Sequence, residues 1–215
     1  GEQLNMWGHP PLSSVILTHA HFGHVDGLGL FGRETLNARG LKLYASQSMY
    51  SLIEQTPQWA LMLNQGVFET EVIASGRVHA LSETVRLEAV EVPHRAELSD
   101  MHAFIVRGPN RSVLYLTDHD RWDDTLNHHD APSIRAWLND LDVDLALIDG
   151  TFWSLDELSG RSQLEVPHPP VSETLNRLGP RQEGDPEIHF IHLNHTNAEL
   201  DGAPDVAREG MEFEL

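Results

Sequence analysis

Short apolar runs rich in β-branched residues recur along the chain, each ending in a polar or turn-forming stretch. They read as strands over Ser14–Thr18, Leu41–Ala45, Val85–Val92, His102–Arg107, Ser112–Thr117, Leu145–Ile148 and Glu187–Leu193. Helix-like segments lie between them. The pattern predicts helices over Val25–Ala38, over Ser46–Gln65 with a break or kink at Pro57, over Pro132–Leu141 and over Pro170–Leu178. Gly108-Pro109-Asn110 sits between two apolar runs as a hairpin turn would. Strands alternating with helices give a mixed α/β class, and nothing in the punctuation by Pro and Gly marks a linker. One domain over residues 1–215 is expected, with length enough for a sizeable core.

The residues just past these apolar runs are unusual. Val15-Ile16-Leu17-Thr18 leads into His19, His21 and His24. The run ending Val92-Pro93 leads into His94. Val113–Thr117 leads into Asp118, His119 and Asp120. Leu145–Ile148 leads into Asp149, and the last run leads into His192 and His195. In open α/β sheets, ligands bind beyond the carboxyl ends of the strands, where neighbouring strand ends bring distant residues together. A lone His or Asp after a strand is ordinary, since it hydrogen-bonds, turns the chain or caps a helix. Three imidazoles within six residues are not ordinary. Burying them side by side costs desolvation, and each protonation opposes the next. A divalent cation resolves the conflict by bonding neutral ring nitrogens.

Composition narrows the chemistry. Cysteine is absent, which excludes disulfides, thiolate nucleophiles and Cys-ligated zinc and leaves His and carboxylate as the metal donors. Acidic residues number 33 against 14 basic ones, a net charge of −19, which argues against a nucleic-acid partner. No apolar run approaches the roughly 20 residues of a membrane helix. A small-molecule substrate and a cytoplasmic location are the expectations, and the charge leaves oligomeric state open. Of the other histidines, His128-His129 reads as surface, and His9, His79 and His189 receive no role. His168, in the stiff Val-Pro-His-Pro-Pro, reads as a side chain held over a site.

These motifs resemble the metallo-β-lactamase superfamily, whose signature His-x-His-x-Asp-His follows a strand. Here it becomes His19-Ala20-His21-Phe22-Gly23-His24. The family's later ligands, a His, an Asp and a His, map onto His94 in VPHR, Asp118 in YLTD and His192 in FIHLNHTN, with His195 as rival for the last. More narrowly, THAHFGHVDGL, GLFGRE, VPHRAELSD, SVLYLTDHDRW, LIDGTFW, VPHPPVSETL and FIHLNHTN are similar to the coenzyme PQQ synthesis protein B (PqqB) branch. The resemblance implies an αββα sandwich, here lacking its first strands, with the metal site along one edge of the two sheets.

One departure stands out: Gly23 replaces the aspartate that in the family binds the second metal and orients the attacking water. His19, His21 and His94 then form a set for one ion with Asp118 as fourth ligand or bridge, and His24 with His192 or His195 forms a poorer second set. Asp26 reads equally as an orienting partner for an imidazole or as a helix cap. The expected activity is a metal-dependent hydrolase, Zn2+ first and Fe2+ or Mn2+ next, with one or two ions. Asp118, His192 and His195 are its candidate catalytic groups. Arg95 would bind a substrate carboxylate, and His168, Trp153 and Trp122 would line the substrate pocket. The PqqB-like branch implies an iron-dependent oxygenase in cofactor biosynthesis as the alternative, and the missing carboxylate suggests an inactive metal-binding relative as a third reading.

Overall fold

The computed structural model describes residues 2–8, 11–158, 162, 165–197, 202, 203 and 205–215. Alternation along the strands decides the layering. In β2 (Leu41–Ala45), Leu41, Leu43 and Ala45 join one apolar cluster while Tyr44 joins another. In β6 (His102–Arg107), Ala103 and Ile105 face a third cluster while Phe104 and Val106 meet Tyr44. Two sheets therefore pack face to face through a thin seam that includes Tyr44, Ile73, Leu87, Ala89 and Phe104. Helices cover the outer faces, α3 (Gln47–Gln55) and α4 (Pro57–Asn64) on one side and α5 (Trp122–His128), α6 (Ile134–Asp140) and α7 (Val171–Leu178) on the other. This is the expected αββα sandwich.

The first sheet has three parallel strands in the order β1 (Ser14–Ile16), β2, β3 (Phe68–Val72). The second has six, in the order β4 (Val78–Ala80), β5 (Arg86–Glu91), β6, β7 (Ser112–Tyr115), β8 (Leu145–Asp149), β9 (Glu187–Ile191). The β5–β6 and β6–β7 pairs are antiparallel, and β7, β8 and β9 are parallel. So β5, β7, β8 and β9 all run one way, and their carboxyl ends share a rim. His102, first residue of β6, donates its backbone N–H to the carbonyl of Thr18, just past β1, which ties the end of the first sheet to that rim.

Differences from the sequence expectation have local causes. The helix expected over Val25–Ala38 is instead a single turn, α2 (Phe22–Val25), followed by a 3-10 segment over Asp26–Phe31. Gly27, Gly29 and Gly32 remove the helix propensity such a run needs, and the Thr35 hydroxyl donates to the carbonyl of Leu30 at 2.6 Å to close a tight turn. Pro57 does divide its region: Ser46 caps α3, and Pro57 opens α4. The apolar pattern does not mark the short α1 (Glu2–Met6) or α5, nor β3 and β4. Strand β3 reads FETEV, its glutamates exposed on a sheet edge, so its polarity hides it.

Candidate metal centre

Each side chain of the centre sits just past a strand end or on a loop that closes over one. After β1 the chain stays extended through His19 and His21, and His21 then stands at the start of α2, whose turn carries His24. His94 follows β5 by three residues, Asp118 follows β7 by three, Asp149 ends β8, and His192 directly follows β9. His192 has φ +61°, a conformation that non-glycine residues adopt only when the surroundings impose it. The surroundings here are specific. Gly150 N–H donates to the carbonyl of Ile191 at 2.8 Å, bringing the ends of β8 and β9 together. A Cβ on Gly150 would lie 2.8 Å from Phe190 Cβ and 3.0 Å from Ile191 O, neither of which can swing away. Gly150→Ala is therefore expected to destabilise the protein by about 1–3 kcal/mol and to weaken metal binding, because relief must move the backbone that carries His192. Thermal denaturation together with metal titration checks this.

Donor atoms converge from all these positions. His19 Nε2 lies 2.9 Å from His21 Nδ1, which lies 3.3 Å from His94 Nε2. His24 Nε2 is 3.1 Å from His192 Nε2 and 3.5 Å from Asp118 Oδ2. Asp118 Oδ1 is 3.8 Å from His94 Nε2, and Oδ2 is 3.8 Å from His192 Nε2. One donor atom from each of His19, His21 and His94 falls within 4.8 Å of the others; so do those of His19, His24 and Asp118, and those of Asp118, His168 and His192. Two nitrogens each bound to one tetrahedral zinc at about 2.0–2.1 Å lie about 3.4 Å apart, the scale of these separations.

The opposite ring nitrogens are held from behind. Thr18 Oγ1 is 3.1 Å from His19 Nδ1 and Glu97 Oε2 is 3.3 Å from His21 Nε2; Asp120 Oδ1 comes within 3.0 Å of His94 Nδ1 as a charge contact without hydrogen-bond geometry. Thr151 Oγ1 is 2.9 Å from His192 Nδ1. Asp149 is fully buried. It accepts from the backbone and hydroxyl of Thr151 at 2.9 and 2.7 Å and lies 2.7 Å from His168 Nδ1. Such partners fix tautomer and ring orientation, as behind metal-bound histidines generally. The loop after His94 is fastened as well. Ser99 Oγ accepts the backbone N–H of Ala20, between His19 and His21, while Ser46 and Ser48 both donate to Asp100.

Electrostatics make the rings ready to bind a cation. Burial, then the neighbouring imidazoles, pushes His19 down to about 2. Burial outweighs the pull of Asp118 and holds His94 down at about 4. Burial also lowers His24. These rings are neutral at pH 7 and present lone pairs. Burial would raise Asp149, but the His168 and His192 contacts outweigh it and hold the carboxyl below its usual range. Asp118 Oδ2 is buried and has no hydrogen-bond donor among the described residues, an uncompensated carboxylate oxygen facing ring nitrogens. A divalent ion satisfies that oxygen and the lone pairs together, so the donor set fits one.

Some expected residues lie elsewhere. His195 is exposed in the turn past His192 and, among the described residues, makes no hydrogen bond to the cluster. Trp122 is a core residue, fully buried, its Nε1 donating to Thr174 Oγ1 at 2.8 Å. His119 packs against it at 4.4 Å and pairs with Thr125. Trp153 is half-buried against the main core. Asp26 is exposed at the start of the 3-10 segment. Arg95 is half-buried, its Nε buried and without a hydrogen-bond partner among the described residues. His128 is exposed, but His129 reaches the carbonyl of Glu91 at 2.9 Å. His9 lies outside the described residues. Glu97, Ser99 and Thr151 carry no sequence signal, because only the folded loop places them. Among the described residues, no helix is long and apolar enough to cross a membrane.

Comparison with known proteins agrees with this architecture. Residues 3–196 match the family described as Beta-lactamase superfamily domain. The chain is 28% identical over 232 residues to coenzyme PQQ synthesis protein B of Xanthomonas campestris pv. campestris, covering 96% of this chain and 74% of that protein. Among solved structures it is similar in fold to Zn(2+)-bound PqqB from Methylobacterium extorquens, with TM-score 0.68 and 16% identity over 94% of this chain and 71% of that one. A diphosphatase from the PhnP family gives TM-score 0.60 and 18% identity over 98% of this chain and 73% of its own. With a sandwich of two sheets, a histidine-rich rim at their joined ends and a family match across most of its length, the chain belongs to the β-lactamase superfamily and has the metallo-β-lactamase fold.

Proposed function

We propose that the chain is a metal-dependent hydrolase acting on a small molecule. The observation that supports this most is the buried, undonated Asp118 oxygen facing the ring nitrogens of His24 and His192. His19, His21 and His94 would hold the first ion, and His24 and His192 a second, with Asp118 shared between them. Zn2+ is the first choice, and Fe2+ and Mn2+ accept the same donors. Bound there, zinc would bring the pKa of its water down to about 7 and would polarise a carbonyl or phosphoryl oxygen. The protein's own groups do the rest. Asp118 would anchor the attacking water beside the two sites. His192, held through Nδ1 by Thr151, keeps Nε2 aimed as a donor to the second ion, a role that exposed His195 is poorly placed to take. Arg95 offers its guanidinium to a substrate carboxylate in a forked geometry, and Trp153 forms one wall of the pocket.

A second reading is an iron-dependent oxygenase in cofactor biosynthesis. Its support is Gly23, which leaves the attacking water without its usual orienting carboxylate, and the similarity to coenzyme PQQ synthesis protein B over 96% of the chain. Metal analysis of protein purified without added metal or chelator separates the readings. Zinc with ester, lactone or phosphodiester turnover supports the hydrolase, and iron with oxygen consumption supports the oxygenase. Full occupancy with neither activity sinks both and leaves a metal-binding relative. His21→Ala is expected to weaken the first ion by more than about 100-fold, beyond the range for partners behind a ligand. Unchanged stoichiometry in that variant overturns the ligand assignment.

A further inference from the structure

We propose that His168 is a ligand of the second ion and supplies the donor that the chain lacks at position 23. This rests on the reading that the cluster binds metal. His168 Nε2 points at Asp118 Oδ1 from 3.8 Å, and its donor atom lies within 4.8 Å of those of Asp118 and His192. The ring is buried, and its other nitrogen is fixed: Nδ1 lies 2.7 Å from Asp149 Oδ2 and 3.2 Å from Thr151 Oγ1. Paired with a carboxylate, Nδ1 carries the proton, and in the neutral ring Nε2 then presents a lone pair to Asp118. A lone pair facing a carboxylate oxygen is repulsive unless something positive lies between them. A shared proton would draw the two atoms to about 2.7–2.9 Å. At 3.8 Å they stand near the distance at which both reach one ion.

The backbone makes the placement permanent. His168 stands in Pro167-His168-Pro169-Pro170, where each residue before a proline is confined to extended conformations. Pro170 then caps α7, which packs into the main core. At Gly23, by contrast, a Cβ would meet nothing within 4 Å, so the missing carboxylate is a matter of sequence and not of space. The second site becomes His24, His168 and His192 with the shared Asp118. Three imidazoles and one shared carboxylate favour Zn2+, Co2+ or Fe2+ over Mn2+ and Mg2+, which prefer oxygen.

The test is titration of metal-stripped protein with Co2+, read by bound metal per chain and by the visible d–d spectrum. His168→Asn is the informative variant, since its amide can still donate to Asp149 while Nε2 is gone. The wild type is expected to take two ions. His168→Asn should keep the first with an unchanged spectrum and lose more than about 100-fold in affinity for the second. Equal binding of two ions by both proteins overturns the proposal and leaves the metal reading standing. One ion in both proteins does the same. A wild type that takes none sinks the metal reading and this inference together. Should His168→Asn lose its folded circular dichroism, His168→Ala, which also lacks the donor, carries the same comparison with the same outcomes.

Discussion

Asp118→Asn is expected to abolish turnover, lowering kcat by about 10³-fold or more, and to reduce bound metal from two ions to at most one. Asparagine keeps the shape and one oxygen but not the charge. Among the described residues, the aspartate is the single anionic donor that reaches both halves of the centre: its oxygens lie 3.8 Å from His94, 3.5 Å from His24, 3.8 Å from His168 and 3.8 Å from His192. A partner standing behind a ligand is worth 10–100-fold in affinity or activity, and a shared ligand must exceed that. The variant also separates folding from metal binding. Without metal, Asp118 is a buried carboxylate with one oxygen undonated, a destabilising feature. Asparagine removes the charge, so the chelated variant should be as stable as the chelated wild type or more so. With metal the order should reverse, because an ion at 1,000 times its Kd adds about 4 kcal/mol to the wild type and less to the variant. Denaturant unfolding of both proteins, with metal and with chelator, gives four numbers. A wild type that is more stable than the variant even in chelator contradicts this account of Asp118.

The strand ends were legible because the chemistry is local. Apolar runs give β2 and β6 to the residue, and each run of the rim ends in its own donor, so His19, His21, His24, His94, Asp118 and His192 could be named from the sequence. The hidden part is the set of contacts that only the fold brings together. Thr151 shows no signal, yet it holds His192 and His168 because Gly150 turns the chain at the end of β8. Glu97 reads as a surface residue and is one, but its loop is tied down by Ser99 and Asp100 so that it backs His21. His168 was visible as a stiffly held side chain, but its direction was not, since a proline-flanked segment fixes the backbone without saying what it faces. Asp26, read either as an imidazole partner or as a helix cap, stands as the cap that ends the turn carrying His24, and His195 is turned out past His192: proximity in sequence to a ligand says little once a helix turn or a reversed residue intervenes.

Acid should unfold the metal-free protein well before its carboxylates titrate. His19 is held at about 2 in the folded chain, and His94 and His119 at about 4, in each case first by burial. In the unfolded chain each titrates near 6.5. Between pH 6.5 and 4 the unfolded state therefore binds protons that the folded state refuses. Stability rises with pH through that window and falls on acidification, by up to about 1.4 kcal/mol per pH unit for each residue. Two opposing groups do not change the sign. His192 is raised, because its Asp149 and Asp118 contacts outweigh burial, so it contributes stability at low pH that is lost as pH rises through its folded value. Asp149 is lowered; its contribution is present above the unfolded carboxylate value and disappears only below it, beneath the window. Against a total of about 5–15 kcal/mol for an ordinary domain, two pH units should remove a large fraction. Urea unfolding of chelated protein at pH 7, 6 and 5 is expected to show a falling midpoint. His119→Leu should flatten the slope by about one proton, since His119 is fully buried against Trp122 inside the core. Equal midpoints at pH 7 and 5 would mean that the folded protein takes up protons on these rings as readily as the unfolded chain does, and burial would then not be what keeps them neutral.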